Sequence, residues 1–142
     1  MFGRHRIAEL TDQLTVSRGE QERIQQTLNA IASQIGYIEF SPSGIVESAN
    51  DILLSIVGYE RQEVIGKHHR ALCDSSYTAS LEYQHFWEDL GRGIKKQGTF
   101  PRFAKDGRRV WLEATYFPVT DEDGKVFKVI KLAKDATAAQ DK

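Results

Sequence analysis

The sequence contains few cysteines and prolines and has almost no net charge, so none of these features alone assigns it to a class of protein. Of its 142 residues one is cysteine, Cys73, and three are proline, and the charged residues nearly balance to a net charge of −1. A single cysteine excludes an internal disulfide framework and a zinc site built from several cysteines. The pI near 6.4, without any basic run, excludes the electrostatic signature of a protein that binds nucleic acid or an acidic membrane surface.

Long hydrophobic runs are missing as well. No segment approaches the roughly 18 consecutive apolar residues that span a bilayer, and the opening residues contain no apolar stretch of the kind found in a signal peptide. We therefore expect a cytoplasmic protein without membrane insertion. The composition is 40% hydrophobic and 27% charged, which is typical of one globular domain with a substantial core.

The first 35 residues carry a seven-residue repeat. With Ile7 at position a, most a and d positions are Leu or Ile, as in a coiled-coil seam. The predicted seam residues are Ile7, Leu10, Leu14, Ile24, Leu28, Ile31 and Ile35. Ser17 and Gln21 interrupt the seam on either side of Gly19, and a glycine costs a helix about 1 kcal/mol relative to alanine. The pattern predicts a dimerising helix; the alternative is an amphipathic helix packed on its own domain.

After this helix the pattern changes to short strands and short helices. Runs at 36–40 and 45–49 flank Ser41-Pro-Ser-Gly44, which predicts a hairpin. Further strands are predicted at 98–104, 110–118 and 125–133, and short helices at 52–57, 61–65 and between 80 and 93, where Tyr83, Phe86, Trp87 and Leu90 form one apolar stripe. This order predicts an α+β fold, with one antiparallel sheet and helices on one of its faces.

The order of elements and several motifs together resemble a PAS domain over about residues 31–137. The motifs are Gly44-Ile-Val-Glu-Ser-Ala-Asn50, Val57-Gly-Tyr59, Glu63-Val-Ile-Gly-Lys-His-His-Arg70, Phe86-Trp87, Lys105-Asp-Gly107, Trp111-Leu-Glu-Ala-Thr-Tyr116, Pro118-Val119 and Val129-Ile-Lys-Leu-Ala-Lys-Asp-Ala-Thr137. They are most similar to the PAS domains of soluble methyl-accepting chemotaxis proteins and aerotaxis receptors. The resemblance implies a five-stranded antiparallel sheet that encloses a pocket against short helices.

The resemblance also implies a role as a sensor and not as an enzyme. We expect a helical extension over 1–35, a sensor domain over 36–137, and the start of a linker to an output module over 138–142. In similar proteins the final Asp-x-Thr, here Asp135 and Thr137, couples the sheet to the output helix. The expected partners are a second copy of the chain and a downstream signalling module.

One segment resembles the helix that holds the flavin in light-sensing PAS domains. It reads Gly66-Lys-His-His-Arg70. His69 stands where those domains have their photoreactive cysteine, so adduct chemistry is not expected. Arg70 stands where an arginine contacts a phosphate, a task suited to a guanidinium. Redox-sensing flavin domains of the aerotaxis kind resemble the chain there and at Phe86-Trp87, but have a tryptophan where this chain has Gln97.

Two other interpretations stay open beside FAD. Haem b would use His68 or His69 as its axial ligand, the only metal role we assign, and the alternative for these histidines is solvent exposure or a backbone cap. The third interpretation is a cofactor-free PAS domain that serves only for assembly. Cys73 lies one helical turn beyond His69, but no orienting group has suitable spacing, so catalysis is not predicted. The candidate cofactor-binding residues are His68, His69, Arg70, Cys73, Trp87 and Trp111.

Overall fold

The structure, a computed structural model, describes residues 2–140, with side chains for all of these except 2–5 and 14–16. The chain divides into two compact units, one up to Gln34 and one from Ile35 onward. Among the described residues, no helix is both long enough and apolar enough to cross a membrane.

The N-terminal unit is one long helix, α1, over Phe2–Ala32. It ends before the last position of the seven-residue repeat, because the chain turns at Gln34, whose N–H donates to the carbonyl of Ile31. Ile35, predicted as a seam residue, therefore lies outside the helix, and the side chain of Leu14 lies outside the described residues. The other seam residues are exposed, from 48% to 65% of each residue, and are Ile7, Leu10, Ile24, Leu28 and Ile31.

The second unit is a five-stranded antiparallel sheet with short helices, which confirms the predicted α+β fold. The strands follow the order β2-β1-β5-β4-β3 across the sheet. They are β1 Gly36–Phe40, β2 Val46–Ala49, β3 Lys96–Phe103, β4 Arg109–Thr120 and β5 Val126–Asp135. The helices are α2 Asp51–Val57, α3 Arg61–Val64, a 3-10 helix His69–Leu72, α4 Ser75–Thr78, α5 Leu81–Gly91 and α6 Thr137–Gln140.

One side chain, Asn50, joins the first helix of this unit to the sheet. Its Oδ1 accepts hydrogen bonds from the backbone N–H of Leu53 and of Tyr37. The first bond caps α2, as expected of asparagine before a helix, and the second holds β1. Helix α2 ends at Gly58, whose φ of 74° lies in the left-handed region that glycine adopts most readily.

The core lies between one face of the sheet and the helices. Along β4 side chains alternate between the two faces, and those on the inner face are buried: Val110, Leu112, Ala114 and Tyr116. The stripe predicted on α5 is buried as well, and consists of Tyr83, Phe86, Trp87 and Leu90. Trp111 therefore belongs to the outer face of the sheet.

Strand β3 forms one edge of the sheet and carries Pro101 opposite Trp111. The N–H of Trp111 donates to Thr137 Oγ1 and its carbonyl accepts from Ala136 N, so both groups face away from β3. Pro101 consequently directs its backbone nitrogen and carbonyl outward. It has no N–H to donate, and its carbonyl accepts a hydrogen bond from Arg102 Nη1 at 2.8 Å.

Strand β2 forms the other edge, and a loop covers it. Val46 N donates to the carbonyl of Lys67 at 2.8 Å, and Gly66 N donates to the carbonyl of Val46 at 2.8 Å. Ile45 forms an isolated antiparallel bridge with His68. The segment after α3 thus takes the backbone N–H and carbonyl of Val46, which this edge would otherwise expose.

Candidate functional site

His69 lies at the centre of a buried polar network and is 0% exposed. Its Nδ1 is 2.8 Å from the hydroxyl of Tyr83, and its Nε2 is 2.8 Å from the hydroxyl of Tyr116. The Tyr116 oxygen also accepts a hydrogen bond from Arg102 Nη2 at 3.1 Å. The network therefore joins the 3-10 helix, α5, β4 and β3.

The direction of these hydrogen bonds follows from Arg102. A guanidinium only donates, so the Tyr116 oxygen accepts from Arg102, and among the described residues the one hydrogen-bond acceptor near the Tyr116 proton is His69 Nε2. We therefore assign the Tyr116 proton to His69 Nε2. His69 then carries its own proton on Nδ1 and donates it to Tyr83. Burial, reinforced by the positive charges of Arg102 and Lys131, holds the pKa of His69 well below its usual 6.5. The neutral imidazole is the form that this arrangement requires.

Aromatic rings fill the space around the imidazole. Five ring centroids lie between 5.3 and 6.3 Å from that of His69, and they belong to Phe40, Tyr83, Phe86, Trp87 and Tyr116. Burial raises the pKa of Tyr116 to about 12, with Arg102 acting in the opposite direction. The hydroxyl is therefore neutral, and the network consists of uncharged groups that end at one charged guanidinium.

Two basic side chains are buried beside this network. Arg102 and Lys131 are each 1% exposed, and the described residues bury no aspartate or glutamate side chain. Lys131 Nζ lies 4.8 Å from the centroid of the Tyr116 ring. Burial and the charge of Arg102 hold the pKa of Lys131 well below its usual 10.5. The core thus contains basic groups without a carboxylate to balance them.

His68 caps the 3-10 helix and holds the turn after β1. Its Nδ1 accepts a hydrogen bond from Arg70 N at 3.0 Å, so its Nε2 carries the proton and donates to the carbonyl of Ser43 at 2.9 Å. Only a glycine permits this approach at position 44, because a Cβ there would lie 2.7 Å from His68 Nε2. The φ of Gly44 is 96°, in the region that glycine adopts most readily. The backbone cap is the alternative that the sequence left open for this histidine.

Haem does not fit these histidines. Both ring nitrogens of His68 bond to the backbone, and both ring nitrogens of His69 bond to tyrosine hydroxyls. An axial ligand needs a free nitrogen facing open space, and rings fill the space around His69. In the described part of the chain no three His, Cys, Asp or Glu side chains are grouped so that they could hold a metal ion.

The predicted cofactor residues do not line one common pocket, although the Trp87 ring contacts both His68 and His69. His68, Arg70 and Trp87 line an open pocket of about 480 Å³ between the β1–β2 turn and α5. His69 lies in the core with the partly buried Cys73 packed against it, and Trp111 lies on the outer face of the sheet. The interior volume that a flavin ring would need is filled at His69 by the surrounding rings, so these residues do not fit a flavin.

Cys73 contacts His69 as its spacing predicted. Its Sγ lies 3.5 Å from His69 Nδ1 and 3.7 Å from the carbonyl of the same residue. Burial raises the pKa of the Cys73 thiol, which disfavours the thiolate that a nucleophile needs. The pair therefore has the properties of packed, neutral groups.

A second, smaller cavity of about 260 Å³ adjoins the buried network at Arg102. The guanidinium carbon lies 5.1 Å from the centroid of Phe100 and 5.9 Å from that of Tyr77, and both rings line the cavity. Arg102 Nε is buried and has no hydrogen-bond partner. Sequence analysis missed Arg102, Lys131 and the role of the Tyr116 hydroxyl. In β3, Arg102 lies two residues after Phe100 and so shares its inward face, which is the signal that could have identified it.

The Asp-x-Thr motif fastens the end of the sheet to the segment that follows. Asp135 Oδ1 accepts from Thr137 N at 2.9 Å and from Thr137 Oγ1 at 2.6 Å. Thr137 Oγ1 in turn accepts from Trp111 N at 3.0 Å. These hydrogen bonds from Thr137 lower the pKa of Asp135. We call this set of bonds the exit clasp; it attaches α6 to β4.

Comparison with known proteins gives consistent matches. The family model described as "PAS domain" matches residues 34–138. Biofilm dispersion protein BdlA of Pseudomonas aeruginosa is 44% identical over 109 residues, which are 77% of this chain and 26% of that protein. Phototropin-1A of Oryza sativa subsp. japonica is 30% identical over 89 residues, which are 63% of this chain and 10% of that protein.

Solved structures show the same fold. The PAS domain of a protein from Colwellia psychrerythraea matches with a TM-score of 0.70 at 19% identity, covering 81% of this chain and 98% of that chain. This chain spans about a quarter of the length of the biofilm dispersion protein and about a tenth of the phototropin. On the match of the family model and the identity to its relatives, the chain belongs to the PAS domain family.

Proposed function

We propose that this PAS domain is the sensory input module of a cytoplasmic, chemotaxis-type signal transducer, and that it works as a homodimer. The observation that carries the proposal is the position of β4 between the buried network and the exit clasp. Tyr116 joins the network on the inner face, and Trp111, five residues earlier on the same strand, binds Thr137. The 44% identity to a biofilm dispersion protein is consistent with a role in bacterial behaviour.

The mechanism is a shift between two populations of the domain. A ligand that changes the charge or the hydrogen bonding of the network alters how the Tyr116 hydroxyl is held. Backbone hydrogen bonds pair β4 with both β3 and β5, so a change at Tyr116 displaces β4. The displacement changes the hydrogen bond between Trp111 N and Thr137 Oγ1 in the exit clasp. The input is a small ligand and not haem, since the nitrogens of His68 and His69 are already bonded.

Dimerisation through α1 is part of the proposal. Five Leu and Ile side chains of the predicted seam are exposed along this helix, and their heptad spacing suits pairing with a second copy. The raised pKa of the Cys73 thiol argues against a nucleophilic role for this residue.

Hydrogen exchange at the Trp111 amide tests the coupling. In Tyr116→Phe the network loses its link to Arg102, so the Trp111 amide, held by Thr137, is expected to exchange faster than in the wild type. The Tyr37 amide is the matched control, because it also donates to a side chain, Asn50 Oδ1, but lies on β1. Acceleration at Trp111 that exceeds the acceleration at Tyr37, which reports the general loss of stability, supports the proposal. Equal acceleration at both amides, or none at Trp111, contradicts it.

A second candidate function is a cofactor-free module that serves only for association. The packed rings around His69 favour it, because they leave no cavity at the centre of the core for a large cofactor. It predicts that the monomer–dimer equilibrium, measured by analytical ultracentrifugation, is the same for the wild type and for Thr137→Val. Thr137→Val breaks the exit clasp, so a sensory module predicts that the dissociation constant of the dimer differs between the variant and the wild type.

A further inference from the structure

We propose that the cavity beside Arg102 binds a short-chain aliphatic carboxylate. This inference deepens the proposed sensory function, on which it rests for its biological meaning, by naming the class of ligand and its place in the fold. The ligand carboxylate would draw the guanidinium of Arg102, whose Nε is buried in this structure, toward the cavity and accept from Nε. Its carbon chain would lie along the rings of Tyr77 and Phe100.

Unbalanced charge is the first argument. Arg102 and Lys131 are both 1% exposed, and the described residues bury no acidic side chain. An unpaired charge in a protein interior is strongly disfavoured unless an opposite charge or several hydrogen bonds compensate it. Arg102 uses Nη1 on the Pro101 carbonyl and Nη2 on Tyr116, which leaves Nε buried without an acceptor. A bound anion would supply both the missing charge and the missing acceptor.

The size and walls of the cavity select the kind of anion. Its volume of about 260 Å³ is below the range of pockets that hold drug-sized ligands. The guanidinium lies against two aromatic rings that line the cavity, Tyr77 and Phe100. These apolar walls suit a carbon chain better than they suit a small inorganic anion, which would lose its hydration without compensation.

The charges around the opening favour a single negative charge on the ligand. Arg109 lines the cavity and is exposed, so it adds attraction at the entrance. Asp74 and Glu82 also line it and are exposed. Two carboxylates near the opening repel phosphate and polycarboxylates more than they repel a monocarboxylate, whose one charge can reach Arg102.

Occupancy of this site would reach the proposed signalling path directly. Arg102 donates to the Tyr116 hydroxyl, and that hydroxyl is bonded to His69. A carboxylate that draws the guanidinium toward the cavity weakens the bond to Tyr116, because both acceptors compete for the same fork of donors. The binding site and the start of the mechanism therefore share one side chain.

Nuclear magnetic resonance of the arginine Nε–H groups in the full chain tests the proposal. Sodium propionate is titrated at constant ionic strength, with propionamide as the uncharged control of the same shape. The expected result is a saturable shift of the Arg102 Nε–H signal with propionate and none with propionamide. The signal is assigned by its loss in Arg102→Lys or, where that variant fails to fold, by its proximity to the Phe100 ring.

Two exposed arginines provide matched variants that leave the core intact. Arg109→Gln removes a positive charge that lines the cavity, and we expect propionate to bind about fivefold more weakly. Arg108→Gln removes the neighbouring charge, which does not line this cavity, and we expect no change. An equal effect of the two variants would overturn the assignment to this cavity.

Other outcomes also decide the proposal. A flat propionate titration, an equal shift with propionamide, or equally tight binding of chloride or inorganic phosphate would each refute a carboxylate site at Arg102. These results do not depend on signalling, whereas the Trp111 exchange experiment does not depend on any ligand. Failure of the site and failure of the proposed function are therefore distinguishable.

Discussion

Removal of the Tyr116 hydroxyl is expected to destabilise the domain more than any other loss of a single oxygen in the buried network. Tyr116→Phe keeps the ring and its packing, but deletes the bonds to His69 Nε2 at 2.8 Å and to Arg102 Nη2 at 3.1 Å. Both partners remain buried, so each is left without its partner in an environment that water does not reach.

The magnitude follows from those two unsatisfied groups. A buried polar group that loses its partner costs about 1–3 kcal/mol, and a charged donor lies at the upper end. The expected loss in the free energy of unfolding is therefore about 4 kcal/mol, about 1 from His69 and about 3 from Arg102. With a slope of about 1–3 kcal/mol per M, the urea midpoint should fall by roughly 1–4 M. Tyr83→Phe is the graded control, because its hydroxyl bonds His69 Nδ1 and has no bond to Arg102; we expect about 1 kcal/mol.

Tryptophan fluorescence in urea is the assay. Trp87 and Trp111 both lie in the second unit, so the signal reports this domain and not α1. The reasoning is refuted if Tyr116→Phe costs no more than Tyr83→Phe, since the difference between the two variants is the bond to Arg102.

Three further predictions follow from the buried basic groups and from α1. The pKa of His69 in the folded state lies well below its usual 6.5, so the neutral imidazole stabilises the fold fully above pH 6.5. As the pH falls, the free energy of unfolding should decrease by up to about 1.4 kcal/mol per pH unit. Urea midpoints between about pH 5 and pH 7 should show this slope in the wild type and a smaller one in His69→Gln. Lys131→Met removes a buried amine of lowered pKa and should stabilise the unliganded domain by about 1 kcal/mol or more, and a lower urea midpoint would contradict this. Replacing Ser17, Gly19 and Gln21 by Leu, Ala and Leu should tighten the dimer in sedimentation equilibrium, and an unchanged dissociation constant would exclude the seam.

The fold was predictable because its signals are local. The apolar stripe on α5 repeats with the period of a helix, and Asp-Gly pairs mark the turns between the last three strands. The end of α1 was not predictable from the heptads alone, since Ile35 continues the spacing although the helix stops at Ala32. Periodicity shows which residues suit a helix, but the turn that ends it depends on where β1 begins.

The site was predictable only in part, because its charged residues lie on strands, where charged side chains are usually exposed to solvent. His69 was a candidate, but Lys131 lies between Ile130 and Leu132 on a strand with apolar residues on both faces, so alternation does not show which side is buried. The buried basic groups become visible only once the sheet places Arg102 and Lys131 near one tyrosine ring. Their significance depends on the absence of buried acids among the described residues, which no local motif records.

The covered edges of the sheet limit how chains of this kind can associate. At Pro101 the outer strand offers a neighbour no N–H, and its carbonyl already accepts from Arg102. At the opposite edge the loop residues Gly66 and Lys67 take both backbone groups of Val46. An incoming strand therefore meets a gap in the hydrogen-bonding ladder at either side, and growth of a continuous intermolecular sheet is hindered. Crowded copies of this domain should consequently resist fibrous aggregation even at high local concentration.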